Sequence, residues 1–402
     1  MLSTIIYRSH LSDDVPVKSL EELAVKANKN NEMYEVTGIL LFNGTHFFQV
    51  LEGPEKDVLS IYEGICQDPR HHNLVELLRD YAPARRFGNA GMELFDLREH
   101  EKSTVLQAVL DKGTSKYQLT YDDRALQFLR TFVEATEKEN YFEIPSADYW
   151  DFITTETAQD DISADSSDTA AGFTFQPIVD PFACQVVSLE ALMVNSPTDA
   201  VIESLSQQSH DEIYEADLKS KKHAFALARK LEIEGQSLSI NLLPMTLVMV
   251  PNAVDFLLSE IKAQGLIPEQ IVVEVTEKEV VSRPEEVEKA IRQLKAAGIS
   301  LAINNFGAGF AGLLLLARFQ PDKIKIDRSI IQDVHKSGPK QAIVQAIIKC
   351  CSSLEITVIA AGVEKPEEWM WLEAAGVCNF QGNLFAKPKL NAIPAVAWPE
   401  KS

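Results

Sequence analysis

Basic residues are scarce in this sequence. Among its 402 residues, 59 are Asp or Glu and only 38 are Lys or Arg, so the formal net charge is −21. A chain with this charge is kept in solution and repels the phosphate backbone of nucleic acids. No Lys/Arg cluster of the usual kind interrupts the acidic composition. We therefore expect that the protein does not bind DNA directly.

Cysteines and long apolar runs are also few. The cysteines are odd in number and lack the spacing of metal ligands, which favours reduced thiols. They are Cys66, Cys184, Cys350, Cys351 and Cys378. No apolar run approaches the length needed to cross a bilayer, and the first residues do not form a signal peptide. We expect a cytoplasmic protein without a membrane segment.

The length exceeds that of one ordinary core, which predicts two domains. Residues 154–172 contain five acidic groups, no Lys or Arg, and many Ser, Thr and Ala residues. This composition is typical of an exposed linker. We therefore predict a first domain over residues 1–95, connecting helices over 96–153, the acidic linker over 154–172, and a second domain over 173–402.

The first domain is organised around a hairpin. Two apolar runs flank Asn43-Gly44, a dipeptide that favours a tight turn. The second run carries Gln49 between aromatic and aliphatic residues. An amide is costly to bury unless it is hydrogen-bonded, so Gln49 taken alone is best interpreted as an outward-facing residue of a half-buried strand.

The surrounding pattern predicts an α+β sandwich with helices on one face of the sheet. Helical periodicity also predicts further helices over Val105–Leu110 and Ala125–Glu137, which in the simplest interpretation cover the core. The remaining predicted elements are strands Leu2–Tyr7, Leu74–Tyr81 and Met92–Leu97, helices Val17–Asn30 and Lys56–Cys66, and a loop over Asp68–His72.

Four features of the first domain, in order and at their spacing, resemble the BLUF domain, a flavin-binding blue-light sensor with a ferredoxin-like fold. They are Tyr7, Asn31, Thr37–Leu40 and Gln49–Gly53. The resemblance implies that the flavin ring lies between the two helices. Gln49 would bridge the flavin edge and the phenol of Tyr7, and Asn31 would bond the polar edge of the ring. Excitation would move an electron and a proton from Tyr7 to the flavin and back, leaving Gln49 in a rearranged hydrogen-bond state.

The resemblance also suggests roles for residues outside these motifs. Arg70 and His71 are candidates for the ribityl and phosphate end of the flavin, with a solvated basic loop as the alternative. Met92 matches a methionine of the family's last strand, whereas Ala90 stands where the family often has tryptophan. FAD is the family's usual flavin, although the residues alone do not distinguish it from FMN.

In the second domain, short apolar runs alternate with amphipathic stretches such as Arg283–Ala297. About 230 residues of this alternation predict a (β/α)8 barrel with functional residues at the carboxyl ends of its strands. The predicted strands include Ser237–Leu242, Ile271–Val275, Ser300–Ile303, Lys323–Ile326 and Thr357–Ala360.

The order of motifs in this barrel resembles the EAL domain, which hydrolyses cyclic di-GMP with two divalent metals. The matching segments are Phe175–Val179, Leu189–Leu192, Asn241, Glu274 with Thr276-Glu277, Lys325–Asp327, Gly362–Glu364 and Gln381-Gly382. The resemblance covers the second domain nearly end to end.

Four positions depart from the EAL pattern. Val194 replaces an arginine that holds substrate phosphate, Asn304 and Asn305 replace adjacent aspartates, and Ala361 replaces a general base. Two close divalent cations need carboxylates to offset their repulsion, and loss of a general base alone costs roughly 10²–10⁴ in rate. We predict an inactive site that holds no metal pair. Its remaining members are Glu190, Asn241, Glu274, Asn304, Asn305, Lys325, Asp327 and Gln381.

The domain combination resembles the enterobacterial BLUF–EAL antirepressors. This resemblance implies light-dependent binding to a MerR-type transcriptional repressor, which is thereby released from DNA, with a homodimer as one possible assembly. Two alternatives stay open. One is a light-gated cyclic di-GMP phosphodiesterase with an atypical metal site. The other is binding of cyclic di-GMP without cleavage, through Gln176, Leu192 and Lys325.

Overall fold

The chain forms two compact units. A computed structural model describes residues 2–12, 20–82, 85–88, 90–111, 124–134, 142–154, 172–194, 210–233, 235–276, 283–309 and 312–401. The first unit comprises Met1–Ile144 and Asp333–Ala342, and the second comprises Pro145–Gln332 and Ile343–Ser402. None of the helices within the described ranges is long and apolar enough to cross a membrane.

The first unit is built on a five-stranded sheet. Its strands are β1 Leu2–Leu11, β2 Thr37–Phe42, β3 His46–Pro54, β4 His71–Ala82 and β5 Gly91–Asp96. Its helices are α1 Leu20–Met33, α2 Glu55–Cys66, α3 Lys102–Leu110 and α4 Arg124–Glu134. The strand order is β4-β1-β3-β2-β5, and only β2 and β5 pair in parallel. The predicted α+β class is confirmed.

Both faces of this sheet are covered by helices. On one face Tyr7 and Leu51 pack with Val58 of α2. On the other, Phe48 of β3 stacks on Phe132 of α4 with ring centroids 5.1 Å apart. Successive residues of a strand point to opposite faces, so β3 contributes alternate side chains to the two cores.

Two predicted boundaries in this unit are wrong. Helix α1 continues to Met33, so Asn31 lies in its last turn instead of after the helix. The loop predicted over Asp68–His72 is shorter, because β4 begins at His71 and its first residues pair with the end of β1. The local sequence of these polar residues favours a loop and does not indicate their pairing with β1. Residues 17–19 and 135–137 of two predicted helices lie outside the described part of the chain.

After Ile144 the strands are β6 Trp150–Thr154, β7 Phe173–Asp180, β8 Gln185–Met193, β9 Ser237–Asn241, β10 Ile271–Thr276, β11 Ser300–Phe306, β12 Lys323–Ile326, β13 Thr357–Ala361, β14 Asn379–Gln381, β15 Lys389–Leu390 and β16 Ala397–Lys401. The helices are α5 His210–Lys230, α6 Thr246–Met249, α7 Ala253–Ala263, α8 Pro284–Ala296, α9 Gly312–Phe319, α10 Arg328–Ile331, α11 Gly338–Ser353 and α12 Pro366–Ala374.

Strands β7 to β14 follow one another around a closed barrel-like sheet. Closure is made by the pairing of β14 with β7. Strands β8 to β14 are parallel, whereas β7 is antiparallel to both of its neighbours. The predicted barrel fold is confirmed, with one reversed strand that the alternation of elements did not reveal. The carboxyl ends of β8 to β14 therefore meet at one mouth of the barrel.

The predicted acidic linker over 154–172 lies almost wholly outside the described residues. Only Thr154, the last residue of β6, and Gly172, just before β7, belong to the described part. Glu277, the end of one EAL-like motif, also lies outside it.

Candidate functional sites

A cavity of about 380 Å³ lies between α1 and α2 over the sheet of the first unit. Its volume is in the range of small-molecule sites. Six residues predicted to contact the cofactor line it: Tyr7, Asn31, Gln49, Arg70, His71 and Met92. The tertiary structure thus brings together side chains from β1, α1, β3, the start of β4 and β5.

Gln49 is buried at the floor of this cavity. The strand register places Gln49 opposite Tyr7, so both side chains share one face of the sheet. The Tyr7 hydroxyl donates a hydrogen bond to Gln49 Oε1, and Gln49 Nε2 donates to Met92 Sδ at 3.4 Å. Gln49 is only 3% exposed, which excludes the outward-facing position suggested by the residue taken alone and agrees with the burial expected from its neighbours in the sequence.

The Tyr7–Gln49 pair has a defined protonation state. Burial first, and then the neighbouring Tyr62 phenol, raise the pKa of Tyr7 well above its usual value, so its hydroxyl keeps its proton. The Gln49 amide has one accepting end and one donating end, and both are used in a water-poor pocket. An end-to-end rotation of this amide would reverse which group faces Tyr7.

Gly38 of β2 makes room for two cavity residues. A Cβ atom at this position would lie 2.7 Å from Asn31 Nδ2 and 2.9 Å from Met92 Sδ. Asn31 is buried, and its Nδ2 lies 3.5 Å from the carbonyl oxygen of Gly91. The spacing role of Gly38 was missed from sequence, although Thr37-Gly38 belongs to the motif that indicated the family.

Arg70 and His71 lie at the end of the cavity near Asp68. Arg70 Nε donates to Asp68 Oδ1 at 2.8 Å, and the Arg70 side chain is 43% exposed. His71 Nδ1 lies 3.0 Å from Ser9 Oγ, and burial lowers the pKa of the His71 imidazole. Ser9 was missed because it lies 62 residues before His71 in the chain, whereas Asp68 is close enough to Arg70 in the sequence that their pairing could have been predicted. A phosphate bound by Arg70 would have to compete with Asp68.

A second cavity, of about 450 Å³, opens at the mouth of the barrel. Of the eight residues predicted to remain in the EAL-like site, seven line this cavity: Glu190, Asn241, Glu274, Asn304, Asn305, Lys325 and Gln381. They lie on β8, β9, β10, β11, β12 and β14, so nearly every successive strand supplies a polar side chain. This is the arrangement that a barrel fold produces at its carboxyl-terminal face.

Lys325 lies between two buried carboxylates. Its Nζ is 2.6 Å from Glu190 Oε2 and 3.0 Å from Glu274 Oε2, and the residue is 2% exposed. Gln381 Nε2 donates to Glu190 Oε2 at 2.6 Å, and Asn241 Nδ2 donates to Glu190 Oε1 at 2.9 Å. The carboxylates that could bind a divalent cation are therefore already ion-paired and hydrogen-bonded.

Asn304 directs its amide NH₂ group at this cluster. Its Nδ2 donates to Glu274 Oε2 at 2.9 Å and to Asn241 Oδ1 at 3.1 Å. A carboxylate in place of this amide would meet Glu274 as a like charge and would need a cation between them. Asn305 is exposed and has a φ of 53°, a conformation that Asn tolerates better than most residues.

The two glutamates have opposite pKa shifts. Burial opposes ionisation of Glu190, but the Lys325 ammonium and the amides of Gln381 and Asn241 outweigh it and lower its pKa. Burial and the adjacent Glu190 charge raise the pKa of Glu274 to about 7. Lys325 thus keeps Glu190 ionised, whereas the pKa of Glu274 lies near neutral pH.

Asp327 is not among the cavity-lining residues. Its carboxylate caps α10 by accepting a hydrogen bond from Ser329 N at 2.8 Å. Val194 is 37% exposed, and Ala361 lines the cavity with only a methyl group. These positions supply no cation and no base.

Sequence reasoning missed an ion pair in the same cavity. Lys221 Nζ lies 2.7 Å from Asp217 Oδ1, and both residues are buried. Asp217 Oδ2 also accepts from Leu243 N and Thr246 Oγ1. The i, i+4 spacing of opposite charges on α5 was the available signal.

Comparison with known proteins identifies both domains. A family model described as sensors of blue-light using FAD (BLUF) matches residues 2–93, and the EAL domain model matches residues 159–388. The chain is 63% identical over 402 residues to the blue light- and temperature-regulated antirepressor BluF of Escherichia coli (strain K12), covering 100% of both chains. It is 38% identical over 128 residues to the cyclic di-GMP phosphodiesterase PdeR of that strain, covering 32% of this chain and 19% of the relative.

Solved structures have the same architecture. The calcium/cy-diGMP complex of Klebsiella pneumoniae BlrP1 at pH 8.0 superposes with a TM-score of 0.89 and 41% identity over 100% of both chains. A structure of BlrP1 with FMN and cyclic diGMP, without metal ions, gives a TM-score of 0.85 and 37% identity over 100% of both chains.

Proposed function

The chain belongs to the EAL family and carries a BLUF domain ahead of its EAL domain, and from this premise we propose that it is a blue-light-regulated antirepressor. In this proposal, photochemistry in the BLUF domain switches the binding of a catalytically inactive EAL domain to a MerR-type transcriptional repressor, which leaves its DNA. The boundaries 1–95, 96–153, 154–172 and 173–402 and a cytoplasmic location belong to the same proposal.

A flavin fits the first cavity, and FAD is the flavin named in the description of the matching family model. Apolar side chains of α1 and α2 form its walls, and the amides of Asn31 and Gln49 lie among them as polar partners for one edge of a flat ring. A bound flavin supplies blue-light absorption and reversible acceptance of an electron and a proton.

The chain's own residues supply the switch. Tyr7 holds its phenolic proton at Gln49 Oε1, and Met92 accepts from the other end of the amide. Rotation of Gln49 would present Nε2 as a donor to the Tyr7 oxygen and turn Oε1 toward Met92, whose sulfur cannot donate, so the hydrogen bond to Tyr7 would reverse and the one to Met92 would be lost. Two such arrangements of one buried amide form the two-state element that light would bias.

The observation that carries the inactive output domain is the Asn304 amide, which donates to Glu274 Oε2 and Asn241 Oδ1 at a position where the EAL pattern has an aspartate. A divalent pair would have to accept this amide and the neighbouring Asn305 in place of two carboxylates. The second cation of the cavity, Lys221, is occupied by Asp217. A doubly charged phosphodiester ligand would therefore meet the carboxylates of Glu190, Glu274 and Asp217. Among the described cavity residues, both lysines are already ion-paired with these carboxylates.

The partner is inferred from chemistry and from the relative's name. BluF of Escherichia coli is named an antirepressor, which implies a repressor partner for that protein. A net charge of −21 is complementary to a basic DNA-binding protein. Helices α3 and α4 are the candidate surface for a homodimer.

The test combines two assays on the purified, flavin-loaded full chain in darkness and under blue light. Cyclic di-GMP hydrolysis is measured with Mg²⁺ and with Mn²⁺, and repressor release is measured by fluorescence anisotropy of operator DNA. We expect no turnover in any condition and light-dependent release that Gln49→Leu abolishes. Turnover that rises in light and disappears in Glu190→Ala would overturn the inactive-barrel proposal, and light-independent release would overturn the switch.

A light-gated phosphodiesterase is the second candidate, favoured by the full-length similarity to BlrP1, whose structures are described as metal/cy-diGMP complexes. Binding of cyclic di-GMP without cleavage, through Gln176, Leu192 and Lys325, is a weaker alternative. Gln176 Nε2 already donates to Ala386 O at 3.0 Å. Calorimetric titration with cyclic di-GMP tests both alternatives against our proposal. Both alternatives expect a saturable binding isotherm, whereas our proposal expects none.

A further inference from the structure

Three histidines form a row across adjacent strands of the first unit. The register pairs His10 of β1 with His46 of β3 on one side and with His72 of β4 on the other. The His10 and His46 ring centroids are 4.2 Å apart, and the His10 and His72 rings stack at 5.2 Å. Glu143 completes the group, with its Oε1 3.6 Å from His72 Nε2.

This row is separate from the flavin cavity. Phe47 lines that cavity, so its neighbour His46 points to the opposite face of the sheet, together with Phe48. His71, which also lines the cavity, precedes His72 in the same way. The flavin photochemistry therefore does not account for the three imidazoles.

The two inner rings are hydrogen-bonded to each other. His46 Nε2 and His10 Nε2 lie 2.9 Å apart, and His10 is 6% exposed. Two zinc–nitrogen bonds of about 2.0–2.1 Å in a tetrahedral site would place the nitrogens roughly 3.3 Å apart. An outward movement of a few tenths of an ångström would therefore admit a metal ion in place of the proton that the two nitrogens share.

The outer contacts of His46 are those of a metal ligand. Its Nδ1 lies 2.7 Å from Thr45 Oγ1, which fixes the ring and leaves Nε2 for the inner contact. The side chains of His72 and Glu143 are 39% and 72% exposed, and both would have to turn to bring a ligand atom to the ion.

We propose that His10, His46, His72 and Glu143 form a binding site for a divalent transition metal ion of the zinc class. Three imidazoles and one carboxylate match the ligand types that Zn²⁺ prefers. The Arg8 guanidinium is close enough to lower the pKa of both inner histidines, and its charge also opposes a cation. The site is therefore of moderate affinity and not a permanent structural zinc centre.

The experiment is a titration of the chelator-treated, flavin-loaded full chain with ZnCl₂ by calorimetry and with CoCl₂ by absorption at wavelengths beyond the flavin bands. We expect one ion per chain at this site and a cobalt spectrum without thiolate charge-transfer bands. His10→Gln and His46→Gln should each weaken binding by at least about 10-fold. The matched control His100→Gln removes an exposed imidazole bonded to the Asp96 carbonyl and should bind like the parent chain.

The folding of each variant is checked by its flavin spectrum and by its melting temperature without metal. A zinc-dependent rise in melting temperature should be present in the parent and in His100→Gln and absent in His46→Gln. Absence of zinc binding to the parent chain would overturn the proposal. Unchanged affinity in a correctly folded His10→Gln and His46→Gln, or a thiolate-type cobalt spectrum as the only signal, would do the same.

Discussion

At the scale of single residues, both cavities depend on buried polar groups that satisfy one another. Gln49 uses both ends of its amide, toward Tyr7 and Met92, in a pocket where an unmet hydrogen bond is costly. Lys325 is held by two carboxylates. In each case the tertiary structure supplies the partners, and one substitution would leave a buried polar group without its hydrogen bond or ion pair.

Gln49→Leu should abolish the light-induced shift of the flavin absorption spectrum, because leucine cannot exchange donor and acceptor. Difference spectroscopy before and after illumination measures this. Gln67→Leu is the matched control, since Gln67 is exposed at the end of α2 and should leave the shift intact. A normal shift in Gln49→Leu would show that the amide is not the switch.

Lys325→Met should destabilise the barrel by roughly 3–5 kcal/mol, because it leaves the Glu190 charge buried without a cation. Urea unfolding monitored at the barrel transition measures the loss. The double change of Glu190→Gln with Lys325→Met should recover part of it. A loss of less than about 1 kcal/mol would mean that the ion pairs add little stability.

The raised pKa of Glu274 makes stability depend on pH. The folded carboxyl keeps its proton up to about pH 7, whereas an unfolded glutamate loses it near its usual value of about 4.3. Between these values the unfolded state binds fewer protons, so the free energy of unfolding falls as pH rises. The fall attributable to this group is on the order of 1–3 kcal/mol.

Glu274→Gln should remove that part of the pH dependence. The measurement compares the unfolding free energy of the parent and the variant at several pH values between about 4.5 and 8. We expect the difference between them to grow toward pH 8 in favour of the variant. A constant difference across this window would contradict the assignment.

At the scale of elements, the sensor cavity depends on how closely α1 approaches β2 and β5. Gly38 has no side chain at the point where Asn31 and Met92 converge. The strand and the helix could not keep this spacing with any larger residue at this position. The hydrogen-bond chain of Gln49 is therefore set by the packing of whole elements as well as by its own contacts.

Gly38→Ala should weaken flavin retention, because its methyl group would overlap Asn31 Nδ2 and Met92 Sδ. Flavin occupancy after dialysis, from the ratio of flavin to protein absorbance, measures the effect. The double variant Gly38→Ala with Asn31→Ala should lose less occupancy than the two single changes predict together. Strict additivity would rule out the proposed contact.

At the scale of the whole molecule, our proposal separates the barrel fold of the EAL domain from its chemistry. Strands β8 to β14 still deliver side chains to one mouth, but amides and one methyl group stand at positions where the family has acids. A fold and its chemistry are separable in this way because strand packing fixes the site and a few side chains determine the reaction.

Restoring the family residues should restore a response to metal. The quadruple variant Val194→Arg, Asn304→Asp, Asn305→Asp and Ala361→Glu adds three carboxylates and should show a Mg²⁺-dependent rise in melting temperature, because bound cation stabilises the folded state. The parent chain is expected to show no such rise. A comparable rise in the parent would argue for a functional metal site and for the phosphodiesterase alternative.

Sequence alone determined the two fold classes and the hairpin at Asn43-Gly44, which follow from hydrophobic periodicity and turn residues, both local properties. The resemblance to the BLUF and EAL motifs supplied most of the polar side chains that line each cavity. The acidic composition and the four departures from the EAL pattern are also properties of the chain itself. They allow the function to be proposed before any contact is known.

Only the tertiary structure decided which of these side chains meet. It buried Gln49 against Tyr7, placed Lys325 between Glu190 and Glu274, made Asp327 a helix cap, and aligned His10 with His46 and His72. Each of these contacts joins residues by strand register, barrel closure or a single local hydrogen bond. Such pairings depend on the packing of elements far apart in the chain or on competition between partners, which periodicity does not encode.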